Sequence, residues 1–546
     1  MALIAEILDS LERRPDRRVS FFEGGKPAGR SFPEVRADVL ELAARLRSAG
    51  VEPGMRVGLL GPNSYAWMLH DLALQSLGVI SVAFPDHPPC PLPELHARYR
   101  LNLLLAAGDR YGAELGELAA AGRLEDRMRE PVAPTLEHHQ PAVDPRGGPV
   151  SITFSSGTSG KLKTLKITEA GTRQVIASFC STFEFVEGDQ FLVFLPLSSY
   201  QQRVMIYGAA LFGIDLGLVD APQLFKALLL FRPTLLLAPP ILFESIQESF
   251  LRGVREAKRS QRLAFRALTG LAAVAPLRAV RERVARVCFG KLRDTLGGRI
   301  RILWTGMAPI RPGALRFFAD AGLTLHEAYG LNECGPVACN TAKANRRGSV
   351  GRPITPGSVV IDHDGEILVR QPDPVACGYE ECEPGEERLI YREDGLLATG
   401  DLGHFDADGF LYLRGRKKEV IVTREGFKIS PEVLEKRINA HPAVLQSVVF
   451  GQDLESLAAV IVLEGDGPAA RGAVEAHVAR INEAEPACFA IQQLRFTTTR
   501  FSLENGQLTR NLKLHRNAIF AAYKPWLEKD FGRAPRPEAR AARAGA

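Results

Sequence analysis

The sequence predicts an α/β protein: a large N-terminal domain of mostly parallel sheets sandwiched by helices, followed by a small, mobile α+β C-terminal domain. Three observations point there. Up to about residue 400, helical patterns alternate with short apolar runs, as parallel strands covered by helices on both faces require. Beyond Gly400 the texture changes to short strand-like runs and helices. The 546 residues are 46% hydrophobic and 24% charged, enough apolar material for several buried cores and incompatible with a disordered or coiled-coil chain.

Element by element, Ser31-Phe32-Pro33-Glu34 reads as a capping box. Val35, Val39, Leu42 and Leu46 form the apolar stripe of the helix it opens, and Gly50 closes that helix before the strand Arg56–Leu60. Further buried strands are expected at 79–84, 101–106, 235–238 and 300–305. After Gly400, residues 410–413 and 420–422 look like a short antiparallel pair, and Ser430 with Pro431 starts a helix. Strand-like runs at 448–450 and 458–463 flank a helix-like 472–486. The expected domains are 1–415 and 416–530, with an Ala-, Arg- and Pro-rich tail at 531–546 that reads as disordered.

Eight Cys without a C-x-x-C pair argue against a disulfide framework or a structural zinc site, and for a reducing compartment. Glu6, Asp9 and Glu12 interrupt the only apolar run near the start, so no signal peptide is expected. The most apolar window, 224–243, is broken by Lys226, Arg232, Pro233, Pro239 and Pro240, so no membrane span is expected. The expected location is cytoplasmic, or peripheral to the inner face of a membrane. Net charge is +5, yet residues 251–301 hold 14 Lys and Arg against three acids, a local +11. That charge suits a solvated helical face, an anionic lipid surface or an acidic partner protein. Nucleic acid is disfavoured, because aromatic residues are scarce there.

Four hydroxyl residues and two glycines in Phe154-Ser155-Ser156-Gly157-Thr158-Ser159-Gly160-Lys161-Leu162-Lys163 offer backbone N–H groups, hydroxyls and cations to phosphate oxygens. Ser155 stands where a Walker loop needs glycine, so ordinary P-loop chemistry is disfavoured. Tyr329-Gly330-Leu331-Asn332-Glu333 combines an aromatic face, a glycine turn, an amide and a carboxylate suited to magnesium. Thr399-Gly400-Asp401 ahead of Arg414-Gly415-Arg416 offers a carboxylate and a guanidinium to ribose hydroxyls, although alone it reads as a β-turn with a surface ion pair.

Together with Thr305-Gly306-Met307-Ala308-Pro309, Gly365-Glu366-Ile367-Leu368-Val369, Gly378-Tyr379, Gly426-Phe427-Lys428-Ile429 and the closing Asn505-Gly506-Gln507-Leu508-Thr509-Arg510-Asn511-Leu512-Lys513, this series resembles the AMP-forming adenylate synthetase superfamily, from about residue 10 to 525. Leu195-Pro196-Leu197 before a Gln/Arg stretch, and Arg232-Pro233-Thr234 with Pro239-Pro240, make it most similar to the long-chain acyl-CoA synthetases. The resemblance implies ATP-dependent conversion of a carboxylic acid, expected to be a fatty acid, to acyl-AMP and pyrophosphate, then transfer to a thiol. ATP, Mg2+ and CoA are the implied cofactors. It implies Lys513 as the adenylation lysine and Glu333 as catalytic and magnesium-binding. The implied nucleotide site comprises Ser155, Ser156, Gly157, Thr158, Ser159, Gly160, Lys163, Gly306, Ala308, Tyr329, Gly330, Asn332, Asp401 and Arg416. Lys418 would be the hinge, and Gly426 and Lys428 the thiol-acceptor loop.

Several positions depart from the family pattern. Leu162 and Thr164 replace the usual Pro and Gly, Asn332 a Thr or Ser, and Ser199 and Glu169 two common histidines. Ala328 replaces a glycine, which is expected to narrow the acyl channel. Two alternatives stay open from sequence: transfer to the phosphopantetheine of an acyl carrier protein, and a non-catalytic acyl- or nucleotide-binding protein.

Overall fold

The computed structural model describes residues 2–86, 88, 90–107, 121–123, 148–156, 162–274, 278–382, 384–422, 428–452, 456–465, 467–486, 489–502, 504–508 and 514–531. Two large sheets carry the N-terminal part. The first, of nine strands, runs parallel through its centre: Arg18–Glu23, Asp215–Leu218, Gln190–Val193, Leu235–Ala238, Ile302–Thr305 and Leu325–Leu331. In the second, of seven strands, Ser151–Ser156, Ile80–Ala83, Arg56–Leu60, Leu103–Ala106 and Ala121–Arg123 are parallel. Antiparallel Leu162–Ile167 and Ala376–Glu381 finish one edge of it. Strands such as Leu235–Ala238 and Leu103–Ala106 are buried at every residue, which is why they read as unbroken apolar runs.

The capping box forms: the Ser31 hydroxyl accepts from the Glu34 N–H while the Glu34 carboxylate accepts from the Ser31 N–H. Val35, Val39, Leu42 and Leu46 are all buried beneath helix Phe32–Ser48. Helices Tyr65–Ser76 and Tyr200–Phe212 share one apolar core with strands of both large sheets. Inside it lies an ion pair between Arg203 Nη1 and Asp71 Oδ1 at 3.0 Å, with the Ser81 hydroxyl 3.1 Å from the same nitrogen. Arg203 is fully buried, so removing Asp71 alone would cost about 3–5 kcal/mol. The Gln/Arg stretch noted in the sequence thus joins helix to helix.

A third sheet, antiparallel throughout, comprises Val359–Ile361, Glu366–Arg370, Leu396–Phe405 and Leu411–Arg416. It corrects one expectation. Residues 410–413 do not pair with 420–422; strand Leu411–Arg416 pairs with Leu396–Phe405, and Ile421–Val422 pairs with Lys428–Ile429. The physical reason is the turn between the first two. Asp406 Oδ1 accepts from the N–H groups of Asp408 and Phe410, and Gly409 at φ +77° completes a tight hairpin. The 3-10 turn Lys417–Glu419 then separates the two ladders.

The C-terminal unit packs helices Pro431–Ile438, Pro468–Glu483 and Arg516–Phe531 on the sheet Val444–Phe450, Leu457–Leu463 and Ile491–Thr497. The basic segment forms Pro240–Glu256, Arg259–Val274, Arg278–Cys288 and Gly290–Thr295. A break at Ala257 and Lys258 divides the start of the charged segment between two helices. Phe265 turns inward, its ring 6.1 Å from Phe250 and 5.5 Å from Phe289, and is not available to a headgroup layer.

Candidate functional site

Strand Leu325–Leu331 leaves the parallel centre of the first sheet and carries Tyr329 to the third sheet. The buried Tyr329 hydroxyl donates to Asp401 Oδ2 at 2.6 Å, and Asp401 Oδ1 lies 2.6 Å from Arg416 Nε. Asp401 and Arg416 are direct partners across the antiparallel ladder, so adjacent strands hold the carboxylate and the guanidinium side by side. Burial, then the Asp401 charge, push the Tyr329 phenol well above its usual pKa, so it stays a donor. Thr399, Gly400 and Asp401 are not the expected β-turn but part of strand Leu396–Phe405. Their polar groups are satisfied there: the Thr399 hydroxyl donates to the Ile367 carbonyl and accepts from the Asp401 N–H, and the Gly400 N–H donates to Glu366. With its hydroxyl committed to Asp401, Tyr329 offers a partner its ring.

Glu333 follows the same strand and is half-buried. Tyr379 donates its hydroxyl to Glu333 Oε1 at 2.8 Å, and the Glu333 carbonyl accepts from the Ala376 N–H. Gly330 is not a turn glycine. It sits in the strand, where a Cβ would come within 2.5 Å of the Gly335 carbonyl oxygen. Gly306 is needed for a similar reason, its Cβ position lying 2.8 Å from the Ala328 carbonyl oxygen, which seats the turn holding Gly306 and Ala308 against that strand. Asn332 is half-buried between Leu331 and Glu333.

Ser155 and Ser156 end strand Ser151–Ser156, and the chain returns antiparallel with Ser155 opposite Lys163 and Ser156 opposite Leu162. Gly157, Thr158, Ser159, Gly160 and Lys161 lie outside the described residues. Lys163 Nζ is 2.5 Å from Glu386 Oε1 and 5.3 Å from the Tyr379 ring centre. Glu386 Oε1 is also 3.7 Å from Lys418 Nζ. Tyr379 and Glu386 thereby join three features that the sequence could only name separately: Lys163, Glu333 and Lys418. The Gly-Tyr dipeptide marked Tyr379; nothing local marked Glu386.

The sequence model of the AMP-binding enzymes matches residues 8–380, and that of the AMP-binding enzyme C-terminal domain matches 418–533. The chain belongs to the AMP-binding enzyme family. A long-chain-fatty-acid–CoA ligase of Mycobacterium tuberculosis is 27% identical, covering 92% of this chain and 92% of its own. Long-chain-fatty-acid–CoA ligase 5 of Rattus norvegicus is also 27% identical, over 66% of this chain and 54% of its own. Among solved structures, o-succinylbenzoate–coenzyme A synthetase from Bacillus subtilis, in complex with ATP and magnesium ion, superposes with a TM-score of 0.70 at 19% identity, covering 94% of this chain and 98% of its own. The A domain of carboxylic acid reductase from Segniliparus rugosus, in complex with AMP and a carboxylic acid, gives 0.71 at 20%, covering 97% and 94%.

In this AMP-binding enzyme, Lys418 lies in the 3-10 turn Lys417–Glu419, between the third sheet and the C-terminal unit. Lys428 is in the short strand Lys428–Ile429, while Gly426 and Lys513 lie outside the described residues. Ser199 is the N-cap position of helix Tyr200–Phe212. Glu169 is committed elsewhere, accepting from the Leu3 N–H at 2.8 Å and pairing with Arg173 at 3.1 Å. Among the described residues no cluster of three His, Cys, Asp or Glu could hold a metal. The one carboxylate that Glu333 supplies fits a magnesium ion held mainly by phosphate oxygens and water. No helix among the described residues is long and apolar enough to cross a membrane.

Proposed function

We propose that this AMP-binding enzyme activates a fatty acid with ATP to acyl-AMP and pyrophosphate, then passes the acyl group to CoA. The observation that carries it is the Tyr329–Asp401–Arg416 array standing next to Glu333 and Lys163. An aromatic face, a ribose-sized carboxylate and guanidinium pair, a magnesium-type carboxylate and a phosphate-side cation occur together. The adenine stacks on Tyr329, and the ribose hydroxyls donate to Asp401, whose charge Arg416 fixes in place. Lys163 exchanges Glu386 for phosphate oxygens. Magnesium, when bound, offsets charge on the phosphoryl oxygens, and Glu333, oriented by Tyr379, is its protein ligand.

The acid's carboxylate oxygen attacks the α-phosphorus, the bond to the β-phosphate's bridging oxygen breaks, and pyrophosphate leaves. Lys513 neutralises the carboxylate and that bridging oxygen. In the second step the CoA thiol loses its proton to solvent, sulfur attacks the acyl carbonyl and AMP departs. The names of the relatives support a fatty acid as the substrate. The test is pyrophosphate release across a panel of carboxylic acids, with CoA, with acyl carrier protein and with neither. Acid-dependent release with acyl-CoA formation supports the proposal; nucleotide binding without release supports a non-catalytic binder.

A second reading concerns the basic face. Leu263, Leu271 and Val287 are 56%, 54% and 70% exposed among the arginines of helices Arg259–Val274 and Arg278–Cys288. Aliphatics between cations favour docking on an anionic membrane over a carrier protein, which would use the charge alone. Salt-sensitive co-sedimentation with anionic but not neutral vesicles is expected. Transfer to carrier protein that is lost on charge reversal at Arg259 and Arg262, with no vesicle binding, would favour the other partner.

A further inference from the structure

The three residues of the 3-10 turn Lys417–Glu419 are held from opposite sides. Lys417 Nζ lies 2.6 Å from Asp364, in the turn between two strands of the third sheet, and 2.6 Å from Glu366, at the start of the second of them. Glu419 faces the other way: its Oε2 accepts from Arg516 Nε at 2.8 Å. Arg516 opens helix Arg516–Phe531 and also makes a fork on Glu435 of helix Pro431–Ile438, with Nη1 at 2.6 Å and Nη2 at 2.7 Å from its two oxygens. The guanidinium is 18% exposed and Glu435 6%. Such a planar, bidentate pair fixes direction as well as distance, which a lysine could not do.

Arg516 also stands three residues after Lys513 in the sequence. The chain on both sides of 509–513 is tied down: Leu508 bridges Leu514, and the His515 N–H donates to the Gln507 carbonyl at 2.9 Å. Arg516 then continues directly from this closure to Glu419. We infer that Arg516 is a positioning residue: through Glu419 it makes the hinge and the base of the Lys513 segment move as one body, and Lys417 holds the other side of the hinge to the large domain. Rotation is thereby confined to the backbone of Lys418. The inference rests on the reading of Lys513 as the adenylation lysine and Lys418 as the hinge. What it adds is a specific linkage between them.

The experiment compares Glu419→Gln, Arg516→Lys and Lys513→Ala in single-turnover assays of both half-reactions: acyl-AMP formation from acid and ATP, and thioester formation from supplied acyl-AMP and CoA. Glu419 is 27% exposed, so its amide variant is expected to melt within about 2 °C of the parent. Its maximal rate of acyl-AMP formation should nonetheless fall about threefold to tenfold with KM for ATP unchanged, and thioester formation should be little affected. Arg516→Lys should give the larger loss of the same kind, since one ammonium cannot serve both carboxylates. Parent-like acyl-AMP formation in both variants, beside its abolition in Lys513→Ala, would overturn the linkage while leaving the adenylation reading intact. Equal losses in both half-reactions that follow the melting temperature would also overturn it, because a merely structural ion pair behaves so. If Lys513→Ala forms acyl-AMP normally, the underlying reading falls instead.

Discussion

Asp401→Asn isolates the charge at the centre of the proposed nucleotide site while keeping the shape. Asp401 is 5% exposed, accepts from Tyr329 at 2.6 Å and pairs with Arg416 at 2.6 Å. A fully buried guanidinium left without its anion costs about 3–5 kcal/mol, an upper bound here because the Arg416 side chain is 30% exposed and partly screened by solvent. The amide oxygen still accepts one charge-assisted hydrogen bond, which returns about 1.5–3 kcal/mol. The net loss is therefore at most about 2 kcal/mol of stability. Nucleotide binding should weaken further, because the ribose hydroxyls lose a charged acceptor: another 1.5–3 kcal/mol, or roughly tenfold to 100-fold in affinity. Calorimetric titration with AMP, alongside urea unfolding, measures both. A variant destabilised by about 2 kcal/mol that binds AMP as the parent does would refute the ribose role and leave Asp401 as a strut between Tyr329 and Arg416.

Glu432 has its carboxyl pushed up to about 7 by burial, then by Glu419 and Glu435, against the pull of Arg516. Its folded pKa exceeds the unfolded one, so its contribution is fully present below about pH 4.5 and is lost as pH rises to about 7, on the order of 3 kcal/mol. Glu432→Gln should flatten the decline in unfolding free energy between pH 5 and pH 8; an unchanged profile would place the titration elsewhere. Gly330→Ala would drive a methyl to 2.5 Å from the Gly335 oxygen, and should cost about 1–3 kcal/mol in urea unfolding and depress acyl-AMP formation. Parent-like stability would mean that the two strands separate easily there. Glu386→Gln removes the anion paired with Lys163, so on the proposed phosphate role of Lys163 the KM for ATP should fall about threefold; a rise would mean that the carboxylate helps to hold the nucleotide.

Strands buried on both faces were legible from sequence because an apolar run such as Leu235–Ala238 has few other homes. The helix Phe32–Ser48 was legible because Ser31 and Glu34 complete a local bonding pattern. Thr399, Gly400 and Asp401 were misleading for the opposite reason. Their residue types favour turns, and only the Ile367 carbonyl and the Glu366 carboxylate, more than 30 positions away, make the strand acceptable. The motifs named Tyr329, Asp401 and Arg416 together, but not that Tyr329 would turn its hydroxyl onto Asp401. Glu386 left no trace at all, since an acidic residue in the first turn of a short helix looks like any solvated side chain until Lys163 is brought back over it.

The hairpin that pairs Asp401 with Arg416 also limits how the chain can vary. The tip of its turn, Ala407 and Asp408, is exposed, and exposed turns ordinarily absorb insertions and deletions with little harm. Here the turn's length sets the alignment of the two strands. Because side chains alternate between faces, one residue gained or lost there would carry Asp401 and Arg416 to opposite faces of the sheet. Length in this loop is therefore constrained even where residue identity is free: Asp406 and Gly409 build the turn, but point substitutions at Ala407 should be harmless, while a single inserted residue beside it should be as damaging as a change in the site itself.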